Sequence, residues 1–206
     1  MLIVGLTGSI GMGKSTAAAR FRENGISVFD ADAEVHALYR GAAVARIEAA
    51  FPGSTEAGVV DRGRLLRALT SHADGFARLE AIVHPLVRAA EKAFLDTEAG
   101  RGADMAVLEI PLLFETGGDA LVDVTVVVSA PPESQRERVL ARPGMTIAKF
   151  EEILSRQLSD EEKRQLADFV VDTSGAITDT GKQIDSLVER LRGRAGEAYH
   201  RCWAGA

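Results

Sequence analysis

A glycine-rich segment close to the start of the chain limits the possible folds more than any other feature of the sequence. Residues 8–16 read GSIGMGKST and satisfy the pattern G-x-x-x-x-G-K-[ST]. The apolar run 2–6 before it predicts a short buried strand of a parallel sheet, and residues 14–23 after it have helical character. Glycines between a strand and a helix let several backbone N–H groups turn towards one point, where an anion can bind. The segment therefore predicts a nucleotide phosphate site within an α/β fold.

The second half of this segment suits a nucleoside triphosphate and its metal ion. Lys14 supplies a full positive charge for the β- and γ-phosphates, and the Ser15 hydroxyl is placed to ligate Mg²⁺. An ordinary strand–helix turn is the alternative, and the position of the segment at the start of a strand–helix series favours the phosphate site. The predicted nucleotide-binding residues are Gly11, Met12, Gly13, Lys14, Ser15 and Thr16.

The rest of the chain alternates apolar runs with segments of helical character. The runs predict further strands at residues 26–29, 105–110, 122–128 and 169–171. The predicted helices cover residues 32–39, 79–94, 132–140, 150–158 and 184–191, and residues 41–63 give no assignment. Strands that alternate with helices in this way predict a five-stranded parallel sheet with helices on both faces.

Two local signals refine the predicted helices. Pro85 interrupts the helical spacing of residues 79–94, so we expect two helical pieces that are broken or kinked there. The pair His84-Pro85 either marks that break or lines a pocket. Residues 159–162 read SDEE, which fits a capping box that starts another helix.

Composition narrows the class of protein. The 206 residues can form one large domain or two small ones, and 46% hydrophobic with 26% charged residues is typical of globular proteins. The net charge of −6 disfavours a dedicated nucleic-acid binder. The single cysteine excludes an intramolecular disulfide, and no apolar stretch has the length of a signal peptide or a membrane span. We therefore expect a soluble, cytoplasmic protein with no membrane partner.

Three carboxylates lie at or just beyond the ends of predicted strands. Asp32 follows the second predicted strand, at the sheet edge where ligands bind, and it is either a base or the N-cap of the next helix. Glu109 ends the third predicted strand and could hold a metal-bound water or the acceptor substrate. Glu115 lies just beyond, and a solvated loop acid is the alternative for it.

A set of arginines follows the fourth predicted strand. Arg136, Arg138 and Arg142 could lie on a mobile lid that closes over the phosphates and neutralises developing charge. The alternative is a solvated helical face with neighbouring glutamates as partners. The sequence Pro143-Gly144 after Arg142 favours a turn in a lid.

Taken together, these motifs resemble those of the dephospho-coenzyme A kinase family. The resemblance covers nearly the whole chain, and HPLV and PLLFE are more specific than the glycine-rich loop. The resembling stretches, in family order, are residues 5–16 (GLTGSIGMGKST), 30–32 (DAD), 79–87 (LEAIVHPLV), 110–115 (IPLLFE), 135–142 and 157–170. Ser9, Met12 and Thr173 depart from the usual family residues, and Thr173 stands where Asn commonly precedes Ser-Gly.

The resemblance implies a P-loop kinase fold with a core, a substrate-binding region and a lid. It implies transfer of the ATP γ-phosphate, with Mg²⁺, to the ribose 3′-hydroxyl of dephospho-coenzyme A, the last step of coenzyme A synthesis. A monomer or weak homo-oligomer is expected. The implied regions are the core at residues 2–30, 104–130 and 168–195, the helical substrate-binding region at 31–103 and the lid at 135–160.

The matching positions imply roles for individual residues. Asp32 would orient or deprotonate the acceptor hydroxyl, and Lys14 would act on the transferred phosphate. Thr7 would line the catalytic centre, and Arg142 would be the lid arginine on the phosphates. The residues implied near the acceptor are His84, Arg88, Leu113 and Glu115.

Other functions remain open on the residues alone. Another small-metabolite kinase, a nucleotide-hydrolysing switch or motor, and a catalytically silent nucleotide-binding module would each use the same loop. The sequence has no Asn-Lys-x-Asp stretch of a GTPase switch and no Leu-Ser-Gly-Gly-Gln stretch of an ABC motor. Lys14, Ser15 and Asp32 are all present, which disfavours the silent module.

Overall fold

The structure, a computed structural model, describes residues 1–205, which fall into two compact units. The first, which we call the core unit, comprises Met1–Phe29 and the residues from Leu95 onward. The second, the helical unit, comprises Asp30–Phe94. Within residues 1–205, no helix has both the length and the apolar character that crossing a membrane requires.

The elements alternate between strands and helices along most of the chain. The strands are β1 (Leu2–Thr7), β2 (Ser27–Asp30), β3 (Thr55–Glu56), β4 (Val59–Val60), β5 (Met105–Glu109), β6 (Val124–Ser129) and β7 (Phe169–Asp172). The helices are α1 (Lys14–Glu23), α2 (Ala31–Leu38), α3 (Val44–Ala50), α4 (Arg62–Thr70), α5 (Gly75–Gly100), α6 (Pro132–Leu140), α7 (Ile147–Leu154), α8 (Asp160–Leu166) and α9 (Ile177–Leu191).

Five strands form one parallel sheet, in the order β2-β5-β1-β6-β7. The central strand β1 pairs in parallel with β5 and β6, and β7 pairs in parallel with β6. All residues of β1 and β6 are buried, as expected for apolar strands that are covered on both faces. The predicted five-stranded parallel sheet flanked by helices is therefore confirmed.

The core unit is built around one apolar cluster that the sheet shares with α1 and α9. Phe21 on α1 and Ile184 on α9 are fully buried. They belong to the same cluster as Val4, Val107 and Val126 on the three middle strands. This cluster fixes α1, and hence the loop that precedes it, against the centre of the sheet.

Strand β7 forms one edge of the sheet, and a side chain from α9 covers part of that edge. The Gln183 amide donates to the Asp172 carbonyl at 2.8 Å and accepts from the Asp172 N–H at 2.9 Å. The amide group thus replaces the two hydrogen bonds that a further strand would make at this residue.

The helical unit has an apolar cluster of its own, formed by α2, α3, α4, β4 and the first part of α5. The Glu48 carboxylate fastens the β3–β4 hairpin to α3, because it accepts from the Gly53 N–H at 2.7 Å and from the Thr55 N–H and hydroxyl at 3.0 and 2.7 Å. These hydrogen bonds lower the pKa of Glu48. Residues 41–63, which the sequence left unassigned, contain α3 and this hairpin.

Of the two alternatives predicted at Pro85, a break or a kink, the break is wrong and the kink stays a prediction. Helix α5 runs without interruption over 26 residues, with Pro85 inside it. A proline removes one backbone hydrogen bond and crowds the preceding turn. Here the apolar side chains on both sides of the proline, including Leu79, Val83 and Val87, pack into one cluster, and we attribute the continuity of the helix to this packing.

The helix predicted at residues 150–158 lies earlier, at Ile147–Leu154. Its start is set by Thr146, whose hydroxyl accepts from the Lys149 N–H at 3.3 Å and so acts as the N-cap.

The predicted capping box is confirmed, because Ser159 and Glu162 satisfy each other's backbone N–H groups at the start of α8. The hydroxyl and the backbone N–H of Ser159 both donate to the Glu162 carboxylate, and these hydrogen bonds lower the pKa of Glu162.

We expect Phe21→Ala to lower the free energy of unfolding by about 3–5 kcal/mol, because it leaves a cavity at a fully buried site between α1 and the sheet. Chemical denaturation followed by circular dichroism would measure the change. Ala19→Ser, at an exposed position of the same helix, is the control and should change stability by about 0.5 kcal/mol or less. Equal stabilities for the two variants would contradict the assigned core.

Candidate active site

The glycine-rich loop between β1 and α1 adopts a backbone that only glycine accepts readily. Gly11 and Gly13 have φ values of +79° and +87°, in the left-handed region. A Cβ on Gly11 would also lie 2.5 Å from the Val139 Cγ2 atom and 3.1 Å from the Gln135 carbonyl oxygen. Two separate constraints, backbone conformation and space, therefore require glycine at this position.

Helix α1 begins directly after the loop, with Gly13 at its N-cap. Glycine offers no side chain to cap the helix, and the cap has no side-chain hydrogen bond. The N-terminus of a helix attracts an anion through its N–H groups and the positive end of the helix dipole. Lys14 lies in this first turn and donates from Nζ to the Gly8 carbonyl at 2.7 Å, and the neighbouring Ser15 is exposed.

The residue that follows β7, Thr173, holds the second half of the loop. The Thr173 hydroxyl donates to the Met12 carbonyl at 2.9 Å, and Arg138 on α6 donates to the Thr173 carbonyl at 2.6 Å. Next to it, hydrogen bonds from the backbone N–H and hydroxyl of Ser174 lower the pKa of the Asp172 carboxyl. Arg138, predicted as a candidate lid residue, thus supports the loop from behind.

Two glutamines hold Ile10 in the first half of the loop. The Ile10 N–H donates to the Gln157 side-chain oxygen at 3.1 Å, and the Gln135 side-chain nitrogen donates to the Ile10 carbonyl at 2.8 Å. Neither glutamine was predicted as a site residue. An uncharged amide carries no recognisable sequence signal, and Gln135 looks like one polar residue among several on an exposed helix.

The other side of the loop is linked to the segment that follows β5. Thr7 at the end of β1 is fully buried, and its hydroxyl donates to the Pro111 carbonyl at 3.2 Å. The same carbonyl accepts from Lys163 Nζ at 3.3 Å. Lys163 on α8 is fully buried and forms an ion pair with Glu115 Oε1 at 2.8 Å. The solvated-acid alternative for Glu115 is therefore wrong.

The remaining candidates of the core unit differ in their exposure. Glu109, at the end of β5, and Leu113 are buried, and the Leu113 side chain lies against Gly5 of β1. Arg142 follows α6 and is exposed, as is Arg136.

In the helical unit, the structure separates the two aspartates at the start of α2. Asp30 is the N-cap, because its Oδ1 atom accepts from the Ala33 N–H at 2.9 Å. Asp32 lies inside the first turn of the helix and is exposed. The alternative that Asp32 is the helix cap is therefore wrong.

His84 and Arg88 are exposed on α5 at a spacing of four residues, which places them on one face of the helix. Arg88 forms an ion pair with the buried Glu91 at 3.1 Å. Burial raises the pKa of Glu91, and the charge of Arg88 opposes this effect. Candidate base and candidate acceptor residues thus lie on α2 and α5 of the helical unit, and the phosphate loop lies in the core unit.

The fold and the loop together define a class. A central parallel strand that leads into a glycine-rich loop, with a lysine in the first turn of the next helix, is the arrangement of the P-loop kinases, and solved kinases share this fold.

Comparison with known proteins identifies the family within this class. The family model for dephospho-CoA kinase matches residues 2–179. Dephospho-CoA kinases from Mesorhizobium japonicum and Rhizobium meliloti are 53% and 56% identical, over 95% and 93% of this chain and 100% and 99% of theirs. The crystal structure of TT1252 from Thermus thermophilus, 36% identical, superposes with a TM-score of 0.79 over 93% of this chain and 98% of that one. The chain belongs to the dephospho-CoA kinase family.

We expect Gly11→Ala to weaken ATP binding at least tenfold, because a Cβ at this position meets Val139 and strains the loop backbone. Isothermal titration calorimetry would measure the affinity. Gly102→Ala is the matched control, since Gly102 also has a positive φ, of +71°, and a Cβ there would meet nothing within 4 Å. Unchanged affinity in Gly11→Ala would contradict a phosphate site in this loop.

Proposed function

We propose that this chain transfers the γ-phosphate of ATP to the ribose 3′-hydroxyl of dephospho-coenzyme A, giving coenzyme A and ADP. The observation that carries the proposal is a loop with glycine at its left-handed positions, followed by a start of α1 without a side-chain cap, in a chain that matches the dephospho-CoA kinase family model over residues 2–179. The loop is the reason for proposing ATP as the phosphate donor, and the family match is the reason for proposing dephospho-coenzyme A as the acceptor. The reaction requires no covalent intermediate, so the residues act by placement and charge.

The donor half of the reaction falls to the loop. Backbone N–H groups of the loop and the Lys14 ammonium would bind the β- and γ-phosphates and stabilise the charge that develops between them. The Lys14 to Gly8 hydrogen bond would be exchanged for a phosphate contact. Arg142, which is exposed, would add a second cation from the proposed lid at residues 135–160.

Mg²⁺ fits the donor set of this loop. The Ser15 hydroxyl is exposed at the start of α1. Residues 1–205 contain no group of three or more His, Cys, Asp or Glu side chains that could hold a metal. Mg²⁺ that is bound by one hydroxyl, nucleotide phosphates and water needs no such group. When bound, Mg²⁺ would neutralise phosphate charge, and Ser15 is the residue that we propose as its protein ligand.

The acceptor half of the reaction concerns the ribose 3′-hydroxyl and the rest of dephospho-coenzyme A. We propose Asp32 as the residue that orients the 3′-hydroxyl and accepts its proton, and Thr7 as part of the catalytic centre. His84 and Arg88 on one face of α5 would contact the acceptor, with Arg88 suited to its phosphates. Leu113 and Glu115 would contact it from the segment after β5.

We further propose that the enzyme is cytoplasmic and acts as a monomer or weak homo-oligomer, without nucleic-acid or membrane partners. The net charge of −6 supports the absence of such partners, because a nucleic-acid or anionic-lipid surface would repel the protein.

The reaction is tested by incubating the protein with Mg-ATP and dephospho-coenzyme A and following ADP and coenzyme A. We expect ADP release that depends on the acceptor, and we expect Lys14→Ala to lose most of it because the loop loses its ammonium charge. ADP release that is equal without acceptor would indicate a hydrolase, and binding without turnover would indicate a silent module. Near-normal rates in Lys14→Ala would also contradict the proposal.

A pair of aspartate variants separates catalysis from helix capping. We expect Asp32→Asn to retain ATP binding and stability but to lower kcat by about 10²-fold, the scale of positioned acid–base catalysis. Asp30→Ala should lower the free energy of unfolding by about 1 kcal/mol, because the Ala33 N–H loses its acceptor. Turnover and thermal unfolding would be measured for both, with the exposed Asp74→Asn as control. Normal turnover in Asp32→Asn would remove it as the base.

A further inference from the structure

Lys163 is a fully buried lysine to which the proposed reaction gives no role. It lies on the short helix α8 within the sequence EEK, which looks like an ordinary charged surface. Burying an ammonium group is costly unless it is paired and hydrogen-bonded. Its position inside the core unit therefore requires partners that repay this cost.

Both partners of Lys163 lie in the segment that follows β5. Nζ contacts Glu115 Oε1 at 2.8 Å and donates to the Pro111 carbonyl at 3.3 Å. The Pro111 carbonyl also accepts from the Thr7 hydroxyl at 3.2 Å. One ammonium group thus fixes both ends of residues 111–115 and ties them to the end of β1, next to the phosphate loop.

The two oxygens of Glu115 are used differently. Oε1 accepts from Lys163 and from the Leu158 N–H at 2.9 Å. Oε2 is buried, and no group within residues 1–205 hydrogen-bonds to it. A buried carboxylate oxygen without a donor is rare in native proteins and points to a ligand that supplies one.

We propose that Lys163 is a positioning residue for phosphotransfer. It holds Glu115 through Oε1 in the orientation that presents Oε2 to a hydroxyl or amine donor of the acceptor substrate. The inference rests on the proposed function, because it takes the acceptor to bind beside residues 111–115. Lys163 does not touch the substrate; it acts through Glu115 alone.

A double-mutant cycle tests this arrangement. We expect Glu115→Gln and Lys163→Met each to raise the KM for dephospho-coenzyme A about tenfold, the scale of one charge-assisted hydrogen bond, and to leave the Kd for ATP within about threefold. The double variant should show the same tenfold increase rather than a hundredfold one, because both changes remove a single interaction.

Thermal unfolding separates positioning from structural support. Lys163→Met leaves a buried, unpaired carboxylate and should lower Tm, and adding Glu115→Gln should restore much of it without restoring KM. If Lys163→Met does not fold, the double variant compared with Glu115→Gln carries the test. Lys182→Met is the control, since Lys182 is an exposed lysine that pairs with Asp179 on α9.

Three results would overturn the inference. These are a normal KM in folded Lys163→Met, effects on KM that multiply in the double variant, and a KM that recovers together with Tm. A wild-type protein with no acceptor-dependent turnover would instead contradict the proposed function, so the two failures are distinguishable.

Discussion

The phosphate loop depends on hydrogen bonds that fix several of its carbonyl groups, because each fixed carbonyl sets the direction of the N–H in the same peptide unit. Three of its carbonyls accept hydrogen bonds from side chains: Lys14 donates to Gly8, Gln135 to Ile10 and Thr173 to Met12. Each backbone unit has one donor and one acceptor, and fixing the acceptor outward orients the donor inward. Glycine adopts the left-handed positions of this loop without steric strain, and the buried hydrogen-bond partners hold the backbone in place.

Much of the fold and the phosphate site could be predicted from the sequence. The five strands follow from short apolar runs, and the loop follows from residue types that no other local structure needs. Asp32 was predicted as the base from its place after a strand and stays a prediction, and only the structure shows that Asp30 caps the helix. In each of these cases, residues that are close together in the sequence determine the local structure.

The sequence could not show features that depend on distant packing. Pro85 signals a break, and the apolar cluster around α5 overrides it. Lys163 and Glu115 look like surface charges in the sequence. They are 48 residues apart along the chain and form their ion pair only when the core unit folds. The roles of Gln135 and Gln157 are seen only in the structure, through their hydrogen bonds to the backbone of Ile10.

The glutamine pair also links the proposed lid to the loop. Gln135 and Gln157 stand near the two ends of residues 135–160, and both contact the same loop residue. Any rearrangement at either end of this segment would act directly on the backbone of the proposed phosphate site.

The Gln183 contact with the edge of the sheet has a consequence outside the reaction. An edge strand can recruit a strand from another molecule, and such recruitment leads to aggregation. At Asp172 both backbone groups are already engaged, so an incoming chain would have to displace an internal partner before its first hydrogen bond at that residue could form. The side chain gives the folded protein local protection against association during storage or at high concentration, independently of substrate.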